Sequence, residues 1–187
     1  MGCLRGVSGA EEVKFEGACA GWVVVERWGR MRYTYKQSKN LLHQTIPVAL
    51  GTDGVCSNNS ADLFETMKTT ALVQKMLNND PCLLPARQVL EMATQAGLAS
   101  QGRAGEVGML RCGMDADLIA LDRTAPALHP GLSPESDRVY AANGAMVRLT
   151  MVQGRILYEN GRFPTMDIRR VYEEVERIVR RIAPDRR

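Results

Sequence analysis

The sequence contains only two histidines, His43 and His129, among its 187 residues, and no H-x-H pair. Its five cysteines are scattered, odd in number and without a C-x-x-C, which favours reduced thiols over a disulfide framework. No apolar run approaches the roughly 20 residues that span a bilayer, and the start lacks the pattern of a signal peptide. These absences predict a cytoplasmic protein with no membrane partner.

Charge of one sign is also scarce, since the net charge is only +3. Residues 1–45 hold seven Lys/Arg against four Glu, and residues 46–187 are balanced at seventeen of each sign. Basic residues mixed with Trp and Tyr between Arg27 and Lys39 could contact phosphates and stack on bases. The alternative is a solvated basic leader. Because no nucleic-acid-binding motif accompanies the small charge, we expect no nucleic-acid partner.

From residue 46 the pattern of apolar residues becomes regular. Ile46–Leu50 is a short apolar run typical of a strand buried on both faces of a parallel sheet. It stops at Gly51, and a single acid, Asp53, follows between Gly51 and Gly54. Ser60 is a candidate N-cap, with Asp62 in the first turn of a helix predicted over Leu63–Leu77.

The rest of the chain predicts another helix and then β structure. Pro85 begins the second helix and Gly97 is its expected stop. Asp117–Leu121 and Val147–Tyr158 predict strands, the latter a hairpin turning at Gln153-Gly154, and the two regions should form one sheet. Ser136–Ala142 is a weaker helical candidate. Residues 165–187 predict an amphipathic docking helix with pairs Glu173–Arg177 and Glu176–Arg180.

Four blocks in this order resemble a known family. They are PVALGTDGVCSNNSADLFETMKTTALVQK, LPARQVLEMATQAGLA, GEVGMLRCGMDADLIALDRTAP and VYAANGAMVRLTMVQGRILYENGRF. Together they are similar to the carboxy-terminal part of metal-dependent amidohydrolases, in the branch of 5-methylthioadenosine/S-adenosylhomocysteine deaminases, cytosine-deaminase-like enzymes and chlorohydrolases. The resemblance runs over about residues 46 to 183.

The resemblance implies a fold class and a division of the chain. The fold class is α/β: the C-terminal fragment of a (β/α)₈ barrel, a small β-sandwich-type domain and a C-terminal helix. We expect an unmatched basic leader over 1–45, the last barrel strand and its helices over 46–103, part of the β-sandwich over 104–164 and the helix over 165–187. The chain would then be a truncated enzyme behind an unrelated leader.

The resemblance also implies chemistry. In this family Zn²⁺ or Fe activates a water molecule that attacks a heterocyclic ring carbon, so that ammonia or another group leaves. Asp53 matches the acid at the end of the last barrel strand, which ligates the metal and passes on the proton of the water. Asp53 is thus the candidate catalytic and metal-ligating residue. The alternative is an aspartate that only bonds to its own turn.

The family's remaining ligands are histidines, which this chain does not supply. His129 resembles a surface or packing position of the β domain, and His43 lies in a segment without a match. Cys56 is close to Asp53 in sequence, but one thiol and one carboxylate do not make a metal site, and we interpret it as a small buried residue. We therefore expect this chain alone not to retain Zn or Fe.

Two functions compete. One is hydrolysis of a non-peptide C–N bond in a small heterocyclic, nucleoside-like substrate, with this isolated chain inactive. The other is a non-catalytic fragment that acts as a binding or assembly module, or has no function. Because a barrel strand without neighbours exposes backbone groups and apolar faces, we also expect low solubility or a homo-oligomer, or the leader's Ala20–Glu26 recruited as a replacement strand.

Overall fold

A computed structural model describes residues 48–183 of the chain. These residues form two compact units. The first, unit 1, contains residues 48–114 and 122–146, and the second, unit 2, contains residues 115–121 and 147–183. The leader, including His43 and Ala20–Glu26, lies outside the described residues. Among residues 48–183 the structure has no helix long and apolar enough to cross a membrane.

Unit 1 is built from helices. Its α-helices are α1 (Val55–Asn58), α2 (Leu63–Asn78), α3 (Ala86–Ala93), α4 (Gln95–Ser100) and α5 (Pro134–Ser136), and α5 continues as a π-helical turn over Asp137–Ala141. Short 3₁₀ turns cover Pro126–Leu128 and Gly144–Met146. The helices predicted over Leu63–Leu77 and Ser136–Ala142 are therefore confirmed within two residues.

The core of unit 1 lies mainly around α2 and α3. Apolar side chains on one side of α2 are buried with those of α3, the segment before α1 and the turn over Asp137–Ala141. The buried apolar residues are Val48, Ala49, Leu50, Phe64, Met67, Ala71, Leu84, Val89, Met92, Val107, Leu128, Val139 and Ala142. This burial supplies the main driving force for unit 1, because apolar area removed from water stabilises by about 25 cal/mol per Å².

Helix α2 begins at Leu63, as predicted, but its N-cap differs from the predicted one. Asp62 is the N-cap, and its Oδ1 accepts a hydrogen bond of 2.9 Å from the backbone N–H of Phe64. Ser60 was the predicted cap, and this prediction is wrong. Its hydroxyl instead accepts from the backbone N–H of Asp62 at 3.1 Å. A carboxylate is favoured at a helix N-terminus, where it faces the positive end of the helix dipole. Asp62 therefore caps α2, and Ser60 bonds to the backbone of Asp62.

The same carboxylate joins distant parts of unit 1. Asp62 Oδ2 accepts a hydrogen bond of 2.8 Å from the backbone N–H of Gly144, 82 residues further along the chain. A side chain at Gly144 would meet this carboxylate, since a Cβ built there lies 3.2 Å from Oδ2. Asp62 therefore satisfies one donor at the start of α2 and a second donor at the 3₁₀ turn over Gly144–Met146.

We predict that Asp62→Ala lowers the free energy of unfolding of unit 1 by about 1–3 kcal/mol, because it removes the cap and leaves two donors without their acceptor. Asp62→Asn should cost less, since an amide oxygen still caps the helix. Urea unfolding followed by circular dichroism measures both. The matched control is Asp80→Ala, whose Oδ1 accepts only in an exposed turn, from Cys82 N–H. Equal losses from Asp62→Ala and Asp80→Ala would contradict the bridging role.

The second predicted helix is interrupted. Helix α3 ends at Ala93, and Thr94, with φ −122° and ψ −89°, separates it from α4. Gly97 was expected to end the helix, but it lies inside α4, so that prediction is wrong. The hydroxyl of Thr94 donates to the carbonyl of Leu90 at 2.7 Å, and such bonding back to the preceding turn competes with regular helix geometry.

Unit 2 contains one antiparallel sheet of three strands in the order β1-β2-β3: β1 (Leu118–Leu121), β2 (Val147–Val152) and β3 (Arg155–Glu159). Register pairs include Ile119 with Thr150 and Val152 with Arg155. The predicted hairpin and its pairing with the Asp117–Leu121 region are confirmed. Both turn residues have positive φ, 49° at Gln153 and 75° at Gly154, as the tight primed turn of a two-residue hairpin requires.

The last helix, α6, covers Ile168–Ile182. Asp167 caps it, accepting from the backbone N–H groups of Arg169 and Arg170. The predicted pair Glu176–Arg180 is confirmed at 3.0 Å. The predicted pair Glu173–Arg177 is wrong, because Arg177 pairs with Glu174 at 2.6 Å instead. That hydrogen bond from Arg177 lowers the pKa of the Glu174 carboxyl, so its small stabilising effect is lost as pH falls through the folded-state pKa.

Candidate functional site

Asp53 lies at the end of a buried segment at the edge of unit 1. Val48, Ala49 and Leu50 are each less than one-tenth exposed. The backbone N–H of Leu50 donates to the carbonyl of Met92 at 2.9 Å, which ties the segment to the end of α3. The apolar run therefore places the residues after Gly51 at a fixed point of the core surface.

The predicted strand Ile46–Leu50 does not appear as a strand within the described residues, where Val48–Leu50 has no ladder partner. A strand is defined by its pairing, and the three strands of residues 48–183 are all in unit 2. Burial of the run is confirmed, and pairing is not. Ile46 and Pro47 fall outside the described residues.

The backbone at Asp53 adopts an unusual conformation. Its φ is +59°, in the left-handed region that costs a residue other than glycine on the order of 1 kcal/mol and that concentrates at functional sites. Aspartate and asparagine are among the side chains that tolerate it best. The carboxylate of Asp53 therefore projects from a half-buried turn and not from the face of a sheet.

One oxygen of the Asp53 carboxylate is occupied. Oδ1 accepts a hydrogen bond of 2.6 Å from the backbone N–H of Gly54, and the Thr52 hydroxyl donates to the Asp53 carbonyl at 3.2 Å. From residues 48–183 the second oxygen, Oδ2, receives no hydrogen bond. Asp53 therefore does bond to its own turn, as the alternative interpretation of this residue expects. This bond leaves Oδ2 able to accept a proton or to bind a cation.

Helix α1 follows Asp53 at once and fixes the other side of the turn. Gly54 is its N-cap, and the backbone N–H of Asn58 donates to the Gly54 carbonyl at 3.0 Å. Asn59 ends the single turn with φ +60°, its N–H donating to the Val55 carbonyl. The Asn58 side chain donates to the Ser60 carbonyl at 3.2 Å. Asp53 is thereby held between the core segment and a short helix.

The other candidate residues do not join Asp53 in a metal-binding cluster. Within residues 48–183, no group of three or more His, Cys, Asp or Glu side chains is placed to hold a metal ion. His129 is exposed, as expected for a surface position. Cys56 is exposed, so the expectation of a small buried residue is wrong. Its place in the first turn of an exposed one-turn helix explains this. His43 falls outside the described residues.

The described residues therefore do not fit a complete zinc or iron site. A catalytic zinc takes three protein ligands and leaves a position for water, and this part of the chain presents one suitable carboxylate oxygen at the Asp53 turn. No local pattern predicts the Asp62–Gly144 contact, because its partners are far apart in the chain and one of them is a backbone amide. That contact holds the start of α2, the second helix after Asp53.

The sequence matches the model of the Amidohydrolase family over residues 32–157, a range that includes Asp53 and begins inside the predicted leader. It is 46% identical over 137 residues to a 5'-deoxyadenosine deaminase of Methanosarcina mazei, covering 73% of this chain and 31% of the relative. It is 44% identical over 144 residues to a 5-methylthioadenosine/S-adenosylhomocysteine deaminase of Syntrophobacter fumaroxidans, covering 77% and 33%. The chain spans about a third of the length of these relatives.

Solved structures of related enzymes resemble this chain in fold. An adenosine deaminase from Xanthomonas campestris with bound zinc superposes with a TM-score of 0.73 at 29% identity, covering 76% of this chain and 32% of that one. An atrazine chlorohydrolase from Arthrobacter aurescens complexed with zinc superposes with a TM-score of 0.66 at 25% identity, covering 74% and 31%. The mixed helix and sheet of residues 48–183 is therefore an arrangement found in larger enzymes.

Proposed function

This chain belongs to the amidohydrolase family, and we propose that it is the part of a nucleoside-type deaminase that carries the catalytic aspartate, Asp53. The proposed reaction is hydrolysis of the exocyclic C–N bond of an adenosine-like substrate. Water adds at the ring carbon, the amine leaves as ammonia, and a carbonyl oxygen takes its place. Relatives that carry the names 5'-deoxyadenosine and 5-methylthioadenosine/S-adenosylhomocysteine deaminase support this substrate class.

The observation that carries the proposal is the Asp53 turn. The carboxylate follows a buried apolar segment, has a positive φ and keeps Oδ2 without a donor from residues 48–183. A carboxylate with one oxygen held by a backbone N–H and the other available is suited to accept a proton from attacking water and deliver it to the leaving amine. We propose this proton transfer as the role of Asp53.

The architecture proposed for the whole enzyme is a (β/α)₈ barrel, with residues 46–103 as its last strand and helices. Residues 104–164 would form part of a β-sandwich domain and residues 165–187 the C-terminal helix. In such barrels the chemistry lies at the carboxyl ends of the strands, which is where Asp53 stands relative to Val48–Leu50. The metal of the whole enzyme is proposed to be zinc, the ion in the Xanthomonas campestris and Arthrobacter aurescens structures.

A chimera tests the substrate class. In this chimera, residues of this chain replace the matched third of the Methanosarcina mazei relative. We expect ammonia release from 5'-deoxyadenosine and 5-methylthioadenosine to exceed that from cytosine and atrazine by at least about tenfold in kcat/KM, since a site built for one heterocycle leaves polar groups unpaired with another. The native relative, assayed in parallel, is the control. Equal rates on all four compounds, or a preference for atrazine, would contradict the proposed substrate.

The second candidate function, a non-catalytic assembly module, is favoured by one observation. None of the described residues of unit 2 is buried, although the unit contains the apolar sheet and helix α6. Its exposed apolar side chains, among them Ile119, Val152 and Val175, are of the kind that interaction surfaces use. The two functions are compatible, because a part of an enzyme also needs surfaces that dock.

A further inference from the structure

Helix α6 carries an apolar stripe that residues 48–183 leave at least partly exposed. Val171 is 42% exposed, Val175 52% and Ile182 70%. The stripe consists of the five residues Ile168, Val171, Val175, Ile178 and Ile182. Their spacing alternates three and four residues, the heptad spacing of helices that pair along a seam. The family model ends at residue 157, before α6 begins, so the stripe lies beyond the part of the chain that the family model describes.

The residues beside the stripe differ on its two sides. Tyr172 and Val179 lie on one side, and are 61% and 46% exposed. Glu174 and Arg181, seven residues apart, lie on the other side, one acidic and one basic. Glu174 is already bonded to Arg177 of its own helix, so Arg181 of a second copy would share its carboxylate. The opposite surface of the helix carries the remaining charges, including the pair Glu176–Arg180. Charged residues therefore border the apolar stripe on one side, and apolar residues border it on the other.

This asymmetry selects an orientation for pairing with an identical helix. In an antiparallel pair centred between residues 176 and 177, Val175 of each helix faces Ile178 of the other. Tyr172 then faces Val179, apolar against apolar, and Glu174 faces Arg181, acid against base, twice by symmetry. In a parallel pair Glu174 would instead face Val179, which would place a charge against an apolar side chain.

We propose that α6 is a homodimerisation helix, which pairs in antiparallel orientation with α6 of a second copy of this chain. Two heptads, about four helical turns, make a seam about 22 Å long, too short to bury the large area of an obligate dimer interface. The dimer is therefore reversible and depends on protein concentration. This inference concerns the helix of unit 2 and does not rest on the proposed function of Asp53.

Light scattering coupled to size exclusion on the full 187-residue chain tests the pairing. We expect the mass to rise from 20.7 kDa toward twice that value as the concentration rises. Val175→Glu should abolish this increase, because it places two charges at the centre of the seam, while helix content measured by circular dichroism is retained. A chain that stays monomeric at every concentration, or a dimer that Val175→Glu leaves unchanged, would overturn the proposal.

Charge reversal tests the orientation. Glu174→Arg alone and Arg181→Glu alone should each weaken association about tenfold or more, since each creates two like-charged contacts per dimer. An equal mixture of the two variants should associate as well as the unsubstituted chain, because every contact in the mixed dimer again joins opposite charges. Glu173→Arg, the same charge change one residue away from the seam, is the matched control and should have no effect.

The mixture tests the orientation of the pair, and a separate measurement of vesicle binding tests what covers the stripe. Failure of the mixture to restore association, with both variants helical, would exclude antiparallel pairing. Binding of the chain to vesicles of phosphatidylcholine and phosphatidylserine, lost on Val175→Glu, would identify a membrane surface as the occupant if the chain is monomeric in solution. That result would overturn the proposal of a second copy.

Discussion

Asp53→Asn in the chimera is expected to lower kcat for 5'-deoxyadenosine deamination by about 10²–10⁴-fold, the usual contribution of a positioned acid–base group. Asparagine removes the carboxylate but preserves the backbone conformation of the turn. It tolerates the positive φ of this turn, and its amide oxygen can still accept from Gly54 N–H as Oδ1 does. The amide cannot take a proton from water, so the lost rate reports that transfer.

The matched control for this substitution is Asp80→Asn in the same chimera. Like Asp53, Asp80 accepts a hydrogen bond from a nearby backbone N–H, here that of Cys82. Asp80 lies in an exposed turn that is separate from the site. Its substitution should leave kcat within about twofold, as for a surface change away from special features. Asp53→Asn with kcat within tenfold of the unsubstituted chimera would show that Asp53 serves only its own turn.

The second large effect concerns the isolated 187-residue chain. It should release no ammonia from 5'-deoxyadenosine above the uncatalysed rate, with or without added zinc or iron. The reason is the ligand count: the chain has two histidines, and residues 48–183 bring no three ligating side chains together. A site without its ligands cannot hold the ion that hydrolytic deaminases of this kind depend on.

The native Methanosarcina mazei relative under the same conditions is the positive control for the assay. Turnover by the isolated chain, lost in Asp53→Asn, would contradict this prediction. It would mean that the leader or a second copy supplies ligands. Turnover that survives Asp53→Asn would instead indicate a contaminating enzyme.

Local patterns carried most of the correct structural predictions. Helix α2, helix α6 and the hairpin at Gln153-Gly154 follow from periodicity, capping residues and one turn dipeptide, each contained within about twenty residues. The errors at Ser60 and Gly97 have different physical origins. Near Ser60 two acceptors compete for the cap, and Asp62 is the one that also bonds to Gly144. Before Gly97 the helix is already interrupted at Thr94, whose hydroxyl bonds to the Leu90 carbonyl.

The site was predictable only in part for a different reason. Asp53 was found because glycines and an apolar run surround it and four blocks around it resemble one family. The strand pairing expected for Ile46–Leu50 depends on neighbours that the sequence pattern of this segment does not itself contain. Within the described residues the backbone N–H of Leu50 bonds to Met92 near the end of α3 instead. Exposure of Cys56 likewise depends on how α1 lies on unit 1, which no local pattern specifies.

We propose, as the central point, that Asp53 supplies one ligand of a metal site whose remaining ligands lie outside residues 48–183. Elemental analysis after gel filtration tests it most directly, on the chimera, its Asp53→Asn variant and the isolated chain. We predict about one zinc ion per chain in the chimera, about half of that or less in the variant because a carboxylate ligand is lost, and no retained zinc in the isolated chain. Stoichiometric zinc in the isolated chain, or equal zinc content in the chimera with and without Asp53→Asn, would contradict the claim.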